Sequence, residues 1–209
     1  MDNRKFLPII VIGVIVVEVL LAQSSSIFYT VQANESAVLF KKFSGGMDKE
    51  NVLQPGFNVK APWNDLITFD VAESKAEEAM DVLDKNGLSI KVDISVRFYP
   101  KRDRIGYIYE RFRLEYINTL VIPEVRSTVR QVMGRYTAEE IYSTKRPEVE
   151  TAIRTETAEV LGNETNNVVM TALLIRSINL PEKIKQAIEN KLQQEQEALM
   201  AELQAKLRS

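Results

Sequence analysis

Residues 88–99 read LSIKVDISVRFY. In that stretch Leu88, Ile90, Val92, Ile94, Val96 and Phe98 alternate with Ser89, Lys91, Asp93, Ser95, Arg97 and Tyr99. A period of two puts one set on each side of an extended chain, so the stretch predicts a strand with one buried and one wet face. Downstream the period changes. Ile105, Ile108, Tyr109 and Phe112 fall at helical spacing, and Val125, Val129, Val132 and Met133 repeat that spacing after Pro123, which predicts two helices meeting near the proline. Thr137-Ala138-Glu139-Glu140 has a hydroxyl followed three residues later by Glu, the form of a capping box, so a helical turn is expected to start there. Pro147 suits the first turn of a further helix with Val149, Ile153 and Val160 as its apolar stripe. The polar run 163–167 ends it, and residues 168–178 return to an apolar, β-rich pattern that Pro181 stops.

Upstream, residues 27–32 and 37–43 are rich in β-branched and aromatic side chains, with Asn34-Glu35-Ser36 as the expected turn between them and Gly45-Gly46 after them. Leu53-Gln54-Pro55-Gly56-Phe57 sets Pro and Gly at the two centres of a tight turn. A meander of strands, then helices, a late strand and a terminal helix make an α+β domain of antiparallel strands packed with helices, rather than repeated βαβ units.

Residues 181–209 carry Ile184, Ile188, Leu192, Leu199, Leu203 and Leu207 at spacings of four and seven among Gln, Glu and Lys, with Glu195 and Gln196 where a heptad would place an apolar residue. This is expected to be a helix that pairs with another chain as the start of a coiled coil, the rival being a solvated amphipathic end helix. At the other end, residues 6–22 read FLPIIVIGVIVVEVLLA, long enough at the lower limit to span a bilayer, with Phe6, Ile10, Ile12, Val14, Val16, Leu20 and Ala22 in the span and Glu18 within a turn of its far end. Arg4 and Lys5 precede it and the next basic residues are Lys41 and Lys42. The expectation is therefore a single-pass protein whose N-terminus stays in the cytoplasm or matrix and whose body faces the periplasm, intermembrane space or outside. A cleaved signal, disfavoured by Leu20 at the minus-three position, and a buried core helix are the rivals.

The chain has no cysteine and no histidine, and a net charge of −2. That removes disulfides, thiol nucleophiles, imidazole bases and the usual zinc sites, and gives no basic footprint for nucleic acid. Glu73, Glu77, Glu78 and Asp81 form an acidic run, at helical or loop spacing, expected to be a solvated face rather than a cation site. Ser24-Ser25-Ser26 has no nucleophile elbow around it. No catalytic, cofactor-binding or metal-ligating residue is assigned, and an enzyme is not expected. Trp63, beside Pro62 and Phe57, fits either a headgroup contact or a packing role. Arg111, Arg126, Arg130 and Arg135 are candidates for intersubunit charge pairs, with surface solvation as the alternative.

Taken together these pieces resemble the stomatin/prohibitin/flotillin (SPFH, or band 7) family, and within it the prohibitins. The resemblance rests on Val31-Gln32-Ala33-Asn34-Glu35-Ser36-Ala37-Val38, the Leu53–Phe57 turn followed by Ala61-Pro62-Trp63, and residues 86–93. More specific are Tyr107-Ile108-Tyr109-Glu110-Arg111-Phe112, residues 135–140 with Arg146, and Ile178-Asn179-Leu180-Pro181 leading to Lys191-Leu192-Gln193-Gln194-Glu195. Asn86 stands where the family has an acidic residue, and Asn166-Asn167-Val168 where a Gly-hydrophobic pair is common.

The resemblance implies a division into residues 1–26 as N-terminus and anchor, 27–180 as the SPFH domain and 181–209 as the coiled-coil helix. It further implies a scaffold that forms a ring or cage with copies of itself or a paralogous SPFH protein, organises a lipid bilayer patch and modulates a membrane-bound AAA protease or another membrane-protein client. The alternative is a small-oligomer membrane adaptor that docks one partner through its C-terminal helix.

Overall fold

The computed structural model describes residues 12–15, 18 and 27–208. Strands and helices alternate in blocks, as an α+β fold requires, and the chain divides into two units.

The first unit comprises the described residues up to 73 together with 99–116 and 164–169. Strand β1 (Phe28–Val31) pairs antiparallel with β4 (Gly56–Val59). Strand β2 (Glu35–Lys41) is central between β3 (Gly46–Met47) and β5 (Asp65–Asp70), both antiparallel to it. β2 begins one residue after Asn34, so Glu35 and Ser36 belong to the strand and not to the expected turn. Ala37 and Val38 are fully buried. Helix α1 (Ile105–Phe112) closes this core with Ile105 and Ile108, and Phe69 of β5 meets Tyr109 edge-on at 6.1 Å.

The second unit comprises residues 74–98, 117–163 and 170–209. Its sheet has the order β6 (Ser74–Leu83), β7 (Ser89–Pro100), β8 (Val168–Asn179). β7 is the strand of the alternating stretch, and Ile90, Val92, Ile94, Val96 and Phe98 are buried as the period of two predicts. Helix α2 (Ile122–Met133) starts with Pro123 in its first turn, after a π-helical turn (Ile117–Val121), and buries Val125, Val129, Val132 and Met133. Helix α3 (Arg146–Gly162) buries Val149, Ile153, Thr157 and Leu161 at intervals of four, with Val160 only half-buried. Helix α4 (Glu182–Arg208) follows Pro181.

Two further readings change. Glu77, Glu78 and Asp81 of the acidic run are part of β6, which Glu73 precedes; Glu77 and Asp81 lie on the exposed face and Glu78 on the half-buried side. Ala76, Met80 and Val82 share the buried or half-buried face of this strand, an alternation that the carboxylates between them obscure in the sequence.

The second correction concerns topology. Residues 12–15 and Glu18 are helical, yet among the described residues no helix is long and apolar enough to cross a membrane. Crossing takes about 20 apolar residues in one helix, and the long helix α4 carries Glu, Lys and Gln throughout. This overturns the expected single-pass placement, with its cytoplasmic or matrix N-terminus. Phe6, Ile10, Val16, Leu20 and Ala22 of the expected span lie outside the described residues.

Candidate assembly surface

The site begins with a turn. Between β6 and β7 the chain reverses over Asp84-Lys85-Asn86-Gly87, and Gly87 takes φ +81°, a conformation that side chains with a Cβ rarely adopt. Asp84 holds the turn: one carboxylate oxygen accepts the N–H groups of Asn86 at 2.8 Å and Leu88 at 2.7 Å. Its other oxygen accepts the Ala138 N–H at 2.9 Å, and the Lys85 N–H donates to the Tyr136 carbonyl at 2.8 Å. Asp84 is buried, so these charge-assisted bonds tie the hairpin to the segment after α2.

Residues 135–140 are each committed to a different neighbour. Arg135 forks onto both oxygens of Glu156 in α3, at 2.6 and 3.0 Å, and that bond raises the guanidinium pKa. The Tyr136 hydroxyl donates to Glu148 at 3.1 Å. Thr137 and Glu140 form the reciprocal capping box: the Thr137 N–H reaches the Glu140 carboxylate at 2.9 Å and the Glu140 N–H reaches the Thr137 hydroxyl at 3.3 Å. The turn that follows (Glu140–Thr144) is π-helical. Lys145, 2.8 Å from Glu140, and then the Thr137 N–H hold the Glu140 carboxyl down to about 2. Glu139 is left pointing the other way, towards α4.

Asp84, Asn86, Leu88, Thr137, Ala138 and Glu139 thus wall one side of a groove, and Ile184 and Ile188 of α4 line the other. Ile188 is buried, and Leu192 is half-buried one turn on. Two polar contacts flank this row. Lys191 donates to both Glu139 oxygens at 2.9 and 3.0 Å, which raises the ammonium pKa, and the Tyr142 hydroxyl donates to Glu189 at 3.3 Å. The apolar stripe read from the sequence is therefore divided. Leu199, Leu203 and Leu207 are 57, 48 and 88% exposed, on the part of α4 that has left the groove.

This arrangement sits inside a match to the model of the SPFH domain / Band 7 family that runs over residues 29–208. The chain belongs to the SPFH domain / Band 7 family. Among curated proteins this SPFH chain is similar to Prohibitin-2 of Xenopus tropicalis, 22% identical over 175 residues, and to Prohibitin-2 of Mus musculus, 21% identical over 175 residues; each match covers 83% of the chain and 57% of the relative. It is also similar to a protein of Arabidopsis thaliana named Prohibitin-4, mitochondrial, 26% identical over 178 residues, covering 83% of the chain and 61% of the relative. The chain spans a little over half the length of these relatives.

In this SPFH domain the four arginines singled out by sequence are not gathered at one place. Arg126 donates to Glu78 at 2.6 and 2.9 Å, Arg135 is held by Glu156, and Arg111 reaches the Thr165 carbonyl at 3.4 Å. Arg130 is exposed on α2. Trp63 is half exposed and meets Phe43, not Phe57, edge-on at 6.2 Å; Phe57 stacks on Phe28 at 5.6 Å. Among the described residues no group of three or more metal-ligating side chains comes together.

Sequence reasoning missed Asp84, Glu139, Tyr142 and the Lys191 contact. Asp-x-Asn-Gly was a readable turn signal, but the capture of the Ala138 N–H by the same carboxylate depends on a residue 54 positions away.

Proposed function

We propose that this chain is a prohibitin-like scaffold subunit. It assembles with further copies, or with a paralogous SPFH protein, into a ring or cage that organises a lipid patch and restrains a membrane-bound AAA protease or another membrane-protein client. The single observation that carries the assembly is the undocked half of α4, where Leu199, Leu203 and Leu207 stand exposed on a continuous helix. Rows of large apolar side chains on a polar helix mark a surface for another protein. Family membership and the similarity to prohibitins support the scaffold role. In this proposal residues 27–180 form the SPFH body and 181–209 the assembly helix, whose pairing continues from Ile184, Ile188 and Leu192 into the exposed leucines. Exposed arginines, Arg130 among them, set the register of neighbours rather than adding much affinity.

The mass and outline of the purified full chain, by light scattering and electron microscopy, test this. A closed particle of many copies that collapses when residues 194–209 are removed supports the scaffold. A monomer overturns it, and a small oligomer that loses only a partner protein on the same deletion favours the adaptor.

A further inference from the structure

The contacts that seat α4 in its groove reveal a repeat that hydrophobic spacing alone does not show. The seated segment uses Ile184, Ile188 and Leu192 as its apolar row, Glu189 towards Tyr142 and Lys191 towards Glu139. Fifteen residues further on stand Leu199, Leu203 and Leu207, Gln204 and Lys206, in the same order and at the same intervals, and Glu182 recurs as Glu197. The seating groups are thus duplicated in kind: three apolar side chains at intervals of four, a lysine directly before the third, and a group able to accept from a tyrosine hydroxyl.

We propose that residues 197–207 are a second docking segment for the Asp84–Ala138–Glu139 groove, used between copies, so that α4 of one chain seats on the groove of another. This rests on the assembly reading above. The second segment cannot serve its own chain's groove while the first is seated, because fifteen helical residues carry it about 22 Å along the axis and rotate it by roughly 60°. Its apolar row is exposed, and the Lys206–Glu202 pair, whose side chains are 71 and 61% exposed, is of the solvent-exposed kind that contributes little. In the acceptor copy the resident segment gives way. It is joined to β8 through Leu180 and Pro181 and held by one buried side chain, Ile188, and two polar pairs. Like contacts are exchanged for like, so the balance is set by local concentration, and joining copies in one assembly favours the exchange between chains.

The absence of cysteine makes a direct test available. Two differently tagged forms of the full chain, one carrying Glu139→Cys and the other Lys206→Cys, are co-assembled and treated with a short bis-maleimide. A doubly tagged product is expected, at a yield within about threefold of the intrachain product from a Glu139→Cys, Lys191→Cys double variant, and Leu203→Ser in the Lys206→Cys form is expected to cut it at least fivefold. Tyr142→Cys with Gln204→Cys is the second pair, should Glu139→Cys disturb the groove. A large particle without the doubly tagged product, or with a product insensitive to Leu203→Ser, overturns docking between chains and leaves the assembly reading standing. A monomer by light scattering overturns both.

Discussion

Gly106 of α1 lies against the backbone of Lys49: a Cβ added at that glycine would meet the Lys49 Cα at 2.7 Å. The contact lets α1 approach the chain after β3 closely enough for Lys49 to reach Glu110 at 2.9 Å and to sit 5.3 Å over the Tyr107 ring. Alanine is the better helix former by up to about 1 kcal/mol, but here overlap with backbone opposes it. Gly106→Ala is therefore expected to destabilise the fold by about 1–2 kcal/mol in urea unfolding. A gain in stability would show that the close approach relaxes freely.

Asp84 accepts three backbone N–H groups with two oxygens. Asp84→Asn keeps the shape but turns an amide donor towards one of those donors, so a loss of about 2 kcal/mol is expected in thermal or urea melts. Unchanged stability would mean that the hairpin and the segment after α2 hold together without this carboxylate.

Thr157 of α3 is fully buried, and among the described residues its hydroxyl has no hydrogen-bond partner. Removing an unsatisfied buried hydroxyl at nearly constant volume favours the fold. Thr157→Val is expected to raise stability by roughly 1 kcal/mol. A loss would indicate that the hydroxyl is solvated inside the fold.

Glu140 has its carboxyl held down to about 2, first by Lys145 and then by the Thr137 N–H. A carboxylate lowered on folding contributes its stabilisation in full above its ordinary value of 4.5, and that contribution fades as pH falls towards 2. Stability measured from pH 6 to 2.5 should fall less steeply in Glu140→Gln than in the parent chain. Parallel curves would remove Glu140 from the acid response.

Leu199 and Leu203 are exposed on the undocked part of α4. Replacing both with serine should change the stability of the isolated chain by no more than about 0.5 kcal/mol while lowering assembly mass in light scattering. An unaltered mass would move the assembly contacts off this face.

The sequence was most legible where one physical rule decided the outcome alone. The alternation of residues 88–99 survives in β7 for Ile90, Val92, Ile94, Val96 and Phe98, with Ser95 buried on the other face, and the capping box at Thr137 and Glu140 forms because it needs only four residues. Legibility failed where distant partners decided. Glu78 reads as one more solvated acid until Arg126 of α2 covers it, leaving its side chain 13% exposed. The stripe of α4 reads as continuous, yet the groove claims Ile184 and Ile188 and leaves Leu199 and Leu203 outside, a division set by where residues 84–88 and 137–139 come together. The fork of Arg135 onto Glu156 is likewise unreadable from the sequence, because it joins residues 21 positions apart.

Because α4 is clamped at Ile188 and Lys191 and then runs on as one unbroken helix, its free part behaves as a lever. From residue 193 to 208 it extends for about 24 Å, so a tilt of about 10° at the clamp would swing the Leu207 end by about 4 Å. Any event that loosens Lys191 from Glu139 is thereby magnified at the tip, and strain arising at the tip is delivered back to the Asp84 turn.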